Sequence, residues 1–288
     1  MRQKAVKVRT RAGEVVAATG TDREMLIDTA GTGGDASGTF NVSTATAFVV
    51  AGAGLKVAKH GNRSVSSLCG SADVVETLGI NIELPPAKVG RCVDEVGIGF
   101  LYAPLLHTAM KHVMVARREM GIRTVFNLLG PLANPAGARH QVMGVYEPRW
   151  VPVIGGVLSA LGAAHAFVVH GEGLDEIAIT GMTHVCEVKA GATDRYAMLP
   201  EDIGLRRHPE AEIAGGDAER NAHILRDVLS GQAGGPRDAV LANAAAALVC
   251  AGAAKDLRAG VKLAADSIDR GAAAEKLSRL VAVSSTPA

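Results

Sequence analysis

"MLIDTAGTGGDASGTFNVSTATAFVVAGAGLKVAKHG", residues 25 to 61, decides the fold. "MLID" reads as a short strand that runs into a glycine-rich loop. "STATAFVVAGAG" reads as an alanine-rich helix, with Asn41 or Ser43 able to cap it. "LKVAKHG" reads as a second short strand. A strand, a helix and a second strand in this order form one unit of a parallel sheet with helices on its faces.

The pattern continues outward. "SADVVETLG" reads as a helix from Ser71 to Gly79. "QVMGVY", "HAFVVHG" and "HVCEVKAG" read as strands, with "RWVPVIGGVLSALG" a helix between the first two. After Gly216 the spacing predicts helices only. Between Pro85 and Gly121 the character changes, because "PPAKVGRCVDEVG" and "PLLHTAMKHVMVARREMG" each open on Pro and close on Gly, as helices do. The expected architecture is α/β: a central mixed or parallel sheet flanked by helices. Residues 24–84 and 122–288 form the main domain, and 1–23 with 85–121 a small helical subdomain.

Composition narrows the function. The chain has 288 residues, 48% hydrophobic but only 3% aromatic, so Ala, Val, Leu and Gly do the packing. Thirty Lys plus Arg against 29 Asp plus Glu leave no basic field for nucleic acid. Cys69, Cys92, Cys186 and Cys250 include no C-x-x-C pair, and reduced structural thiols are expected. No apolar run approaches the roughly 18 residues of a membrane span, and "MRQKAVKVRTRAGEVV" lacks the apolar core of a signal peptide. A cytoplasmic location is expected.

Four motifs carry the chemistry. In "GTGGD", Gly31, Gly33 and Gly34 permit positive φ and let N–H groups converge, as phosphate nests do; a plain glycine turn reads the same way. Asn41, Ser43 and Thr44 place oxygens at a helix start, for capping or for a magnesium ion beside phosphates. In "KHGNRSVSSLCGSAD", Lys59 offers a point charge, and Ser64, Ser66, Ser67 and Ser71 offer hydroxyls to an anion; a solvated loop is the alternative. Asp175 and Glu176 follow "HAFVVHG", either as metal ligands at a strand's carboxyl end or as exposed turn acids. On a continuous helix His107 and Arg117 would lie about 80° apart, facing a cleft together or solvent. No covalent nucleophile is legible.

These residues resemble a known family. "GTGGDASGTFNVSTA", "KHGNRSVSSLCGSADVVETLG", "GIRTVFNLLGPLANP" and "VVHGEGLDEI", in that order, are similar to the anthranilate phosphoribosyltransferases of tryptophan biosynthesis. The resemblance runs from about Asp28 to about Val281 and implies a nucleoside phosphorylase/phosphoribosyltransferase-like fold. It implies phosphoribosyl transfer from 5-phosphoribosyl-1-pyrophosphate to anthranilate, with Mg2+, in a homodimer. By the same resemblance, Gly31, Gly34, Asp35, Thr39, Asn41, Ser43, Thr44, Lys59, His60, Gly61, Asn62, Arg63, Ser64, Val65, Ser66, Ser67 and Ser71 bind the phosphoribosyl donor. Ser43, Asp175 and Glu176 hold the metal, and Gly31, Asn62, His107 and Arg117 meet anthranilate. Lys59, Asn62 and Arg117 are the expected catalytic residues.

Two departures stand out. Thr108 occupies a position where the family often has Pro. The family also has several helices ahead of the "GTGGD" strand, and nearly all are missing from this sequence; "MRQKA" resembles the end of that region, with Met1 an internal Met. Apolar faces at Val89, Cys92, Val93 and Val96, and at Leu105, Leu106, Met110, Val113 and Met114, are therefore expected to lie uncovered. A pyrimidine nucleoside phosphorylase, a nucleic-acid-binding relative and an inactive remnant are the competing readings.

Overall fold

The computed structural model describes residues 1–14, 25–35, 37–64, 68–110, 112–113, 119–120 and 124–286. Seven strands form one sheet: β1 (Leu26–Asp28), β2 (Lys56–Gly61), β3 (Ile98–Tyr102), β4 (His140–Gly144), β5 (His165–Gly171), β6 (Thr183–Lys189) and β7 (Ala192–Met198). Their spatial order is β3-β2-β1-β4-β5-β6-β7. The first five in sequence pair in parallel, and β6 and β7 add an antiparallel edge. The connections run one way from β1 to β3 and the other way from β4 onward. The sheet therefore has a topological switch point between β1 and β4, where a crevice opens at the carboxyl ends of the strands.

Alternation along the strands sorts two cores. Val142, Phe167, Val169 and Val185 face one layer, while Met143, Ala166, Val168, Cys186 and Val188 face the other. The first layer is built around α1 (Val42–Gly52), whose residues from Thr44 to Ala51 are all buried. Ten helices are described. After α1 come α2 (Ser71–Thr77), α3 (Pro86–Val96), α4 (Ala103–Leu106), α5 (Val125–Leu129), α6 (Trp150–Ala160), α7 (Ala218–Leu229), α8 (Gly235–Cys250), α9 (Leu257–Asp269) and α10 (Ala272–Ser285). Helix α1 packs on α8, α9 and α10, and α6 covers the opposite face of β5 and β6, with Leu128 and Leu132 joining the same core.

Three expectations are corrected. Within 85–121, read as helical, Ile98–Tyr102 form the edge strand β3; four of its five residues are buried, so it shows no alternation to betray it. The exposed strand β7 was not expected either, because its polar "ATDRYAM" mimics a loop. The apolar face of α3 does not lie open: Val89, Cys92, Val93 and Val96 are each at most 2% exposed, packed on β3 and α10. Leu106 is likewise buried, whereas Leu105 is exposed.

The helix expected from Pro104 to Gly121 breaks early. His107 leaves helical geometry (φ −114°, ψ 63°), and a 3₁₀ turn, Thr108–Met110, follows. The break at His107 falls immediately before Thr108. Arg117, with Val65, Ser66 and Ser67, lies outside the described residues.

Candidate functional site

The switch point gathers the sequence's charged motifs. After β1, the chain turns through Gly31–Asp35, and the Thr32 N–H donates to the Gly144 carbonyl at the end of β4 (2.9 Å). Gly33 and Gly34 take φ of 63° and 78°, the left-handed region expected of this loop. After β5, the loop 172–176 comes so close that a Cβ on Gly31 would stand 2.5 Å from Asp175 Oδ2. A Cβ on Gly144 would overlap the Asp175 carbonyl. The Gly33 N–H donates to Asp175 Oδ2 (2.6 Å), and the Asp175 N–H donates to Asp35 Oδ2 (3.1 Å). The Ser37 hydroxyl also donates to Asp35 Oδ2 (2.9 Å).

The amino end of α1 completes one wall. The Ser43 N–H donates to Glu176 Oε1 (3.1 Å), so a carboxylate already occupies this helix terminus. Lys59, only 3% exposed, donates from Nζ to Ser43 Oγ and to the Thr29 carbonyl, both at 3.3 Å. The loop after the acid pair is pinned from behind by Asn243 of α8. Its Oδ1 accepts from Ile177 N–H (3.0 Å), and its Nδ2 donates to the Ile177 carbonyl (3.2 Å).

Lys59 is thus ringed by acids. Burial lowers its pKa, while Asp28, Glu176 and Asp175 pull it back up. Burial likewise drives Asp175 well above the carboxylate range, with Asp35 and Glu176 adding to the rise. Glu176 is pushed up to about 8, by burial first and against the pull of Lys59. Four carboxyls, Asp28, Asp35, Asp175 and Glu176, stand around one ammonium, and the raised pKa of Asp175 and Glu176 reflects how poorly the pair tolerates ionisation without a further cation. A phosphate substrate fits such a site only with a cation between it and the acids. Among the described residues no three of His, Cys, Asp and Glu converge as a ready-made metal cage. The hard oxygens of Ser43, Asp175 and Glu176 suit an ion that takes one or two protein carboxylates and completes its shell from substrate phosphate and water.

Other expected residues have structural partners. Asn41 is the N-cap residue of α1, but its side chain makes no capping bond; its Nδ2 donates to the Cys69 carbonyl and its Oδ1 accepts from Asn221 of α7. Thr44 is 1% exposed, and its hydroxyl, facing into the core, has no partner among the described residues. Thr39 bridges to Ala214. The Asn62 N–H donates to Ser71 Oγ (3.2 Å), and Asn62 Oδ1 accepts from the Arg63 N–H. Arg63 turns its guanidinium to Asp73 (2.9 Å) and Glu76 (2.8 Å). The Ser64 N–H donates to Asp73 Oδ2 (3.2 Å). Gly61, against Ser71 and Phe100, has no room for a side chain.

His60 and His107, both 5% exposed, meet Nε2 to Nε2 at 3.0 Å. Burial, then His107 and Lys59, hold His60 down at about 3, and burial lowers His107 also. Both rings are neutral at physiological pH, and one must donate to the other. Sequence reasoning missed Asp28, Asn134, Asn221 and Asn243, which support these loops from beneath. The signal for the last was a lone amide inside the apolar "VLANAAAALVC".

Comparison with known proteins agrees with this geometry. Residues 23–274 match the family described as "Glycosyl transferase family, a/b domain". The chain is 72% identical over 262 residues to the anthranilate phosphoribosyltransferase of Anaeromyxobacter sp. (strain Fw109-5), covering 91% of this chain and 78% of that one. It is 67% identical over its full 288 residues to the enzyme of the same name from Anaeromyxobacter sp. (strain K), spanning 82% of that protein. Among solved structures, anthranilate phosphoribosyltransferase from Thermus thermophilus superposes with a TM-score of 0.91 at 44% identity, over 99% of this chain and 82% of that one. The Saccharomyces cerevisiae enzyme in complex with PRPP and Mg gives 0.85 at 30% identity, over 98% and 77%.

Proposed function

The chain belongs to the anthranilate phosphoribosyltransferase family, and we propose that it transfers the phosphoribosyl group of 5-phosphoribosyl-1-pyrophosphate to the amine of anthranilate, releasing pyrophosphate. One observation carries the reading onto this chain: a buried lysine, a glycine loop and an acid pair converge at the switch point. The first two are phosphate-binding groups, and the third makes sense with a divalent cation.

Ser43, Asp175 and Glu176 would hold Mg2+, whose chemistry is to neutralise charge on the pyrophosphate. Lys59 supports the same leaving group as a fixed cation, desolvated and therefore strong. The loop Gly31–Asp35 approaches the donor with backbone rather than side chains. The family resemblance assigns Thr39, Asn41, Thr44, His60, Gly61, Arg63, Ser64, Val65, Ser66, Ser67 and Ser71 to the donor as well, although Arg63 here pairs with Asp73 and Glu76 and the Thr44 hydroxyl is buried. The C1–pyrophosphate bond breaks as positive charge grows on the ribose, and the amine of anthranilate then forms the new C1–N bond. Gly31, Asn62, His107 and Arg117 orient that amine by receiving the ring and its carboxylate. An aromatic amine attacks such a centre without a strong base, consistent with two neutral histidines at the acceptor side. No described helix is long and apolar enough to cross a membrane. A cytoplasmic homodimer is the accompanying proposal.

The decisive experiment follows the loss of anthranilate fluorescence with purified chain, 5-phosphoribosyl-1-pyrophosphate and Mg2+. Turnover that needs all three supports the reading; no turnover, or phosphorolysis of thymidine instead, refutes it.

A further inference from the structure

Asp28 is the last residue of β1 and is 1% exposed. The reaction course above gives it no task. Its Oδ1 accepts the N–H groups of Ala30 and His60, both at 3.2 Å. Its Oδ2 accepts Asn134 Nδ2 at 2.7 Å. Asn134 lies in the turn before β4, and the same Nδ2 donates to the Ala58 carbonyl of β2 (2.9 Å). Asn134 Oδ1 accepts the Ala136 N–H (2.8 Å). One carboxylate therefore ties the carboxyl ends of β1 and β2 to the turn that precedes β4.

The positions tied are informative. Ala30 immediately precedes the Gly31–Asp35 loop, and His60 immediately follows Lys59. The gap between glycine loop and lysine is thus spanned by two hydrogen bonds to one atom, Asp28 Oδ1. Three N–H donors converge here, and only a side chain that accepts at both oxygens can meet all three. An amide of the same shape would turn an N–H of its own against one of them. Burying a charge for this purpose is costly, and a purely apolar strand end would pack as well. Placement beside the substrate loops explains why the carboxylate is there.

Building on the transferase reading, we propose that Asp28, held by Asn134, is a positioning residue for the reaction. It fixes the separation between the glycine loop and Lys59, and with it the seat of the donor's pyrophosphate. Asp28 touches no reacting atom.

Two variants test this, Asp28→Asn and the reciprocal pair Asp28→Asn with Asn134→Asp. In the pair, the new amide at 28 accepts from Ala30 and His60 and donates to the new carboxylate at 134, which still accepts from Ala136. Charge and shape are conserved overall, but the bond to Ala58 is replaced by an unfavourable contact between two oxygens. In the single variant kcat/KM for 5-phosphoribosyl-1-pyrophosphate should fall about ten-fold or more, while KM for anthranilate moves less than about three-fold. The reciprocal pair should recover part of that loss, with kcat/KM at least about three-fold above the single variant. Hydrogen exchange at the Ala30 and His60 amides, without substrate, should quicken in the single variant and slow again in the pair.

Single-variant kinetics within about two-fold of the parent would overturn the proposal, as would a pair no better than the single variant. If the single variant does not fold, a folded pair with measurable turnover supports the tie, and a pair that is unfolded or inactive refutes it. An inactive parent would refute the transferase reading, whereas the exchange rates would still decide whether Asp28 holds the two amides.

Discussion

The molecule holds two densely buried regions that are built on opposite terms. Behind the sheet, α1, α8, α9 and α10 pack backbone to backbone through Ala and Gly. A Cβ on Gly260 would stand 2.8 Å from the Cα of Ala245, and one on Gly52 would stand 2.7 Å from the Ala273 N. At the switch point, Asp28, Lys59, Asp175 and Glu176 are taken out of water with their charges incompletely balanced. The helical layer stabilises the fold because its helices meet almost entirely through small apolar residues, with the Arg237–Asp269 pair (2.8 Å) at the margin between α8 and α9. The switch point is destabilising by itself, and the layer behind it makes that tolerable. Stability and function are therefore separable by position in this chain.

The largest effect that separates them is expected from Asp175→Asn with Glu176→Gln. Turnover should fall by about 10³-fold, as for loss of an electrostatic stabiliser of a leaving group. The metal-free protein should melt at the same temperature as the parent or higher. Both carboxyls titrate above their ordinary range in the fold, so ionising them at neutral pH weighs against folding, and neutral amides remove that cost. Fluorescence assays and melting in EDTA check both halves. A variant that loses stability along with activity would merge the two regions.

Gly260→Leu is the converse. It drives a side chain into Ala245 and should cost about 2–3 kcal/mol of stability. The folded protein should keep its KM for both substrates. Denaturant titration with kinetics at low temperature reads the two separately, and a raised KM for the donor would show the layer shaping the site.

Acid should act on the charged region first. His60 stays neutral in the fold down to about 3, while in the unfolded chain it titrates near 6.5. Its contribution is fully present above pH 6.5 and is lost as pH falls from there toward 3. Between pH 6.5 and 5 the loss should be about 1.5–2 kcal/mol, and His60→Gln should flatten that slope. Urea midpoints across this range check it; parallel slopes in parent and variant would count against the buried neutral ring.

What the sequence disclosed follows the same division. Five of seven strands and the order of elements were legible, because an α/β repeat announces itself by periodicity. β3 hid because burial on both faces erases alternation, and β7 hid because exposure makes a strand look like a loop. At the site, Lys59, Ser43, Asp175 and Glu176 were expected together, and the structure brings them together. Asp28 and Asn134 escaped because they lie far apart in the chain, and a single acid at a strand end or a single amide in a Pro-rich turn carries no signal of its own. The apolar face of α3 was misjudged because its cover comes from β3 and from α10, nearly two hundred residues away.

Arg63 gives the smallest and most discriminating test. It stands inside "KHGNRSVSS", where the resemblance puts it among donor-binding residues, so a lost phosphate contact would raise KM for 5-phosphoribosyl-1-pyrophosphate. The structure instead has its guanidinium on Asp73 and Glu76 at the start and end of α2, and 5.9 Å from the Tyr102 ring centre. Those pairs are well exposed, with 43% of the Arg63 side chain open to solvent. Screened pairs of this kind contribute less than about 1 kcal/mol. Arg63→Ala should therefore lower stability by less than that and leave the donor KM within about three-fold of the parent. The small stability loss should shrink further in 0.5 M salt, at roughly a 4 Å screening length. A donor KM raised more than about ten-fold, with unchanged stability, would move Arg63 from the scaffold of α2 to the phosphate site. The loop would then have to swing the guanidinium away from Asp73 when the donor binds.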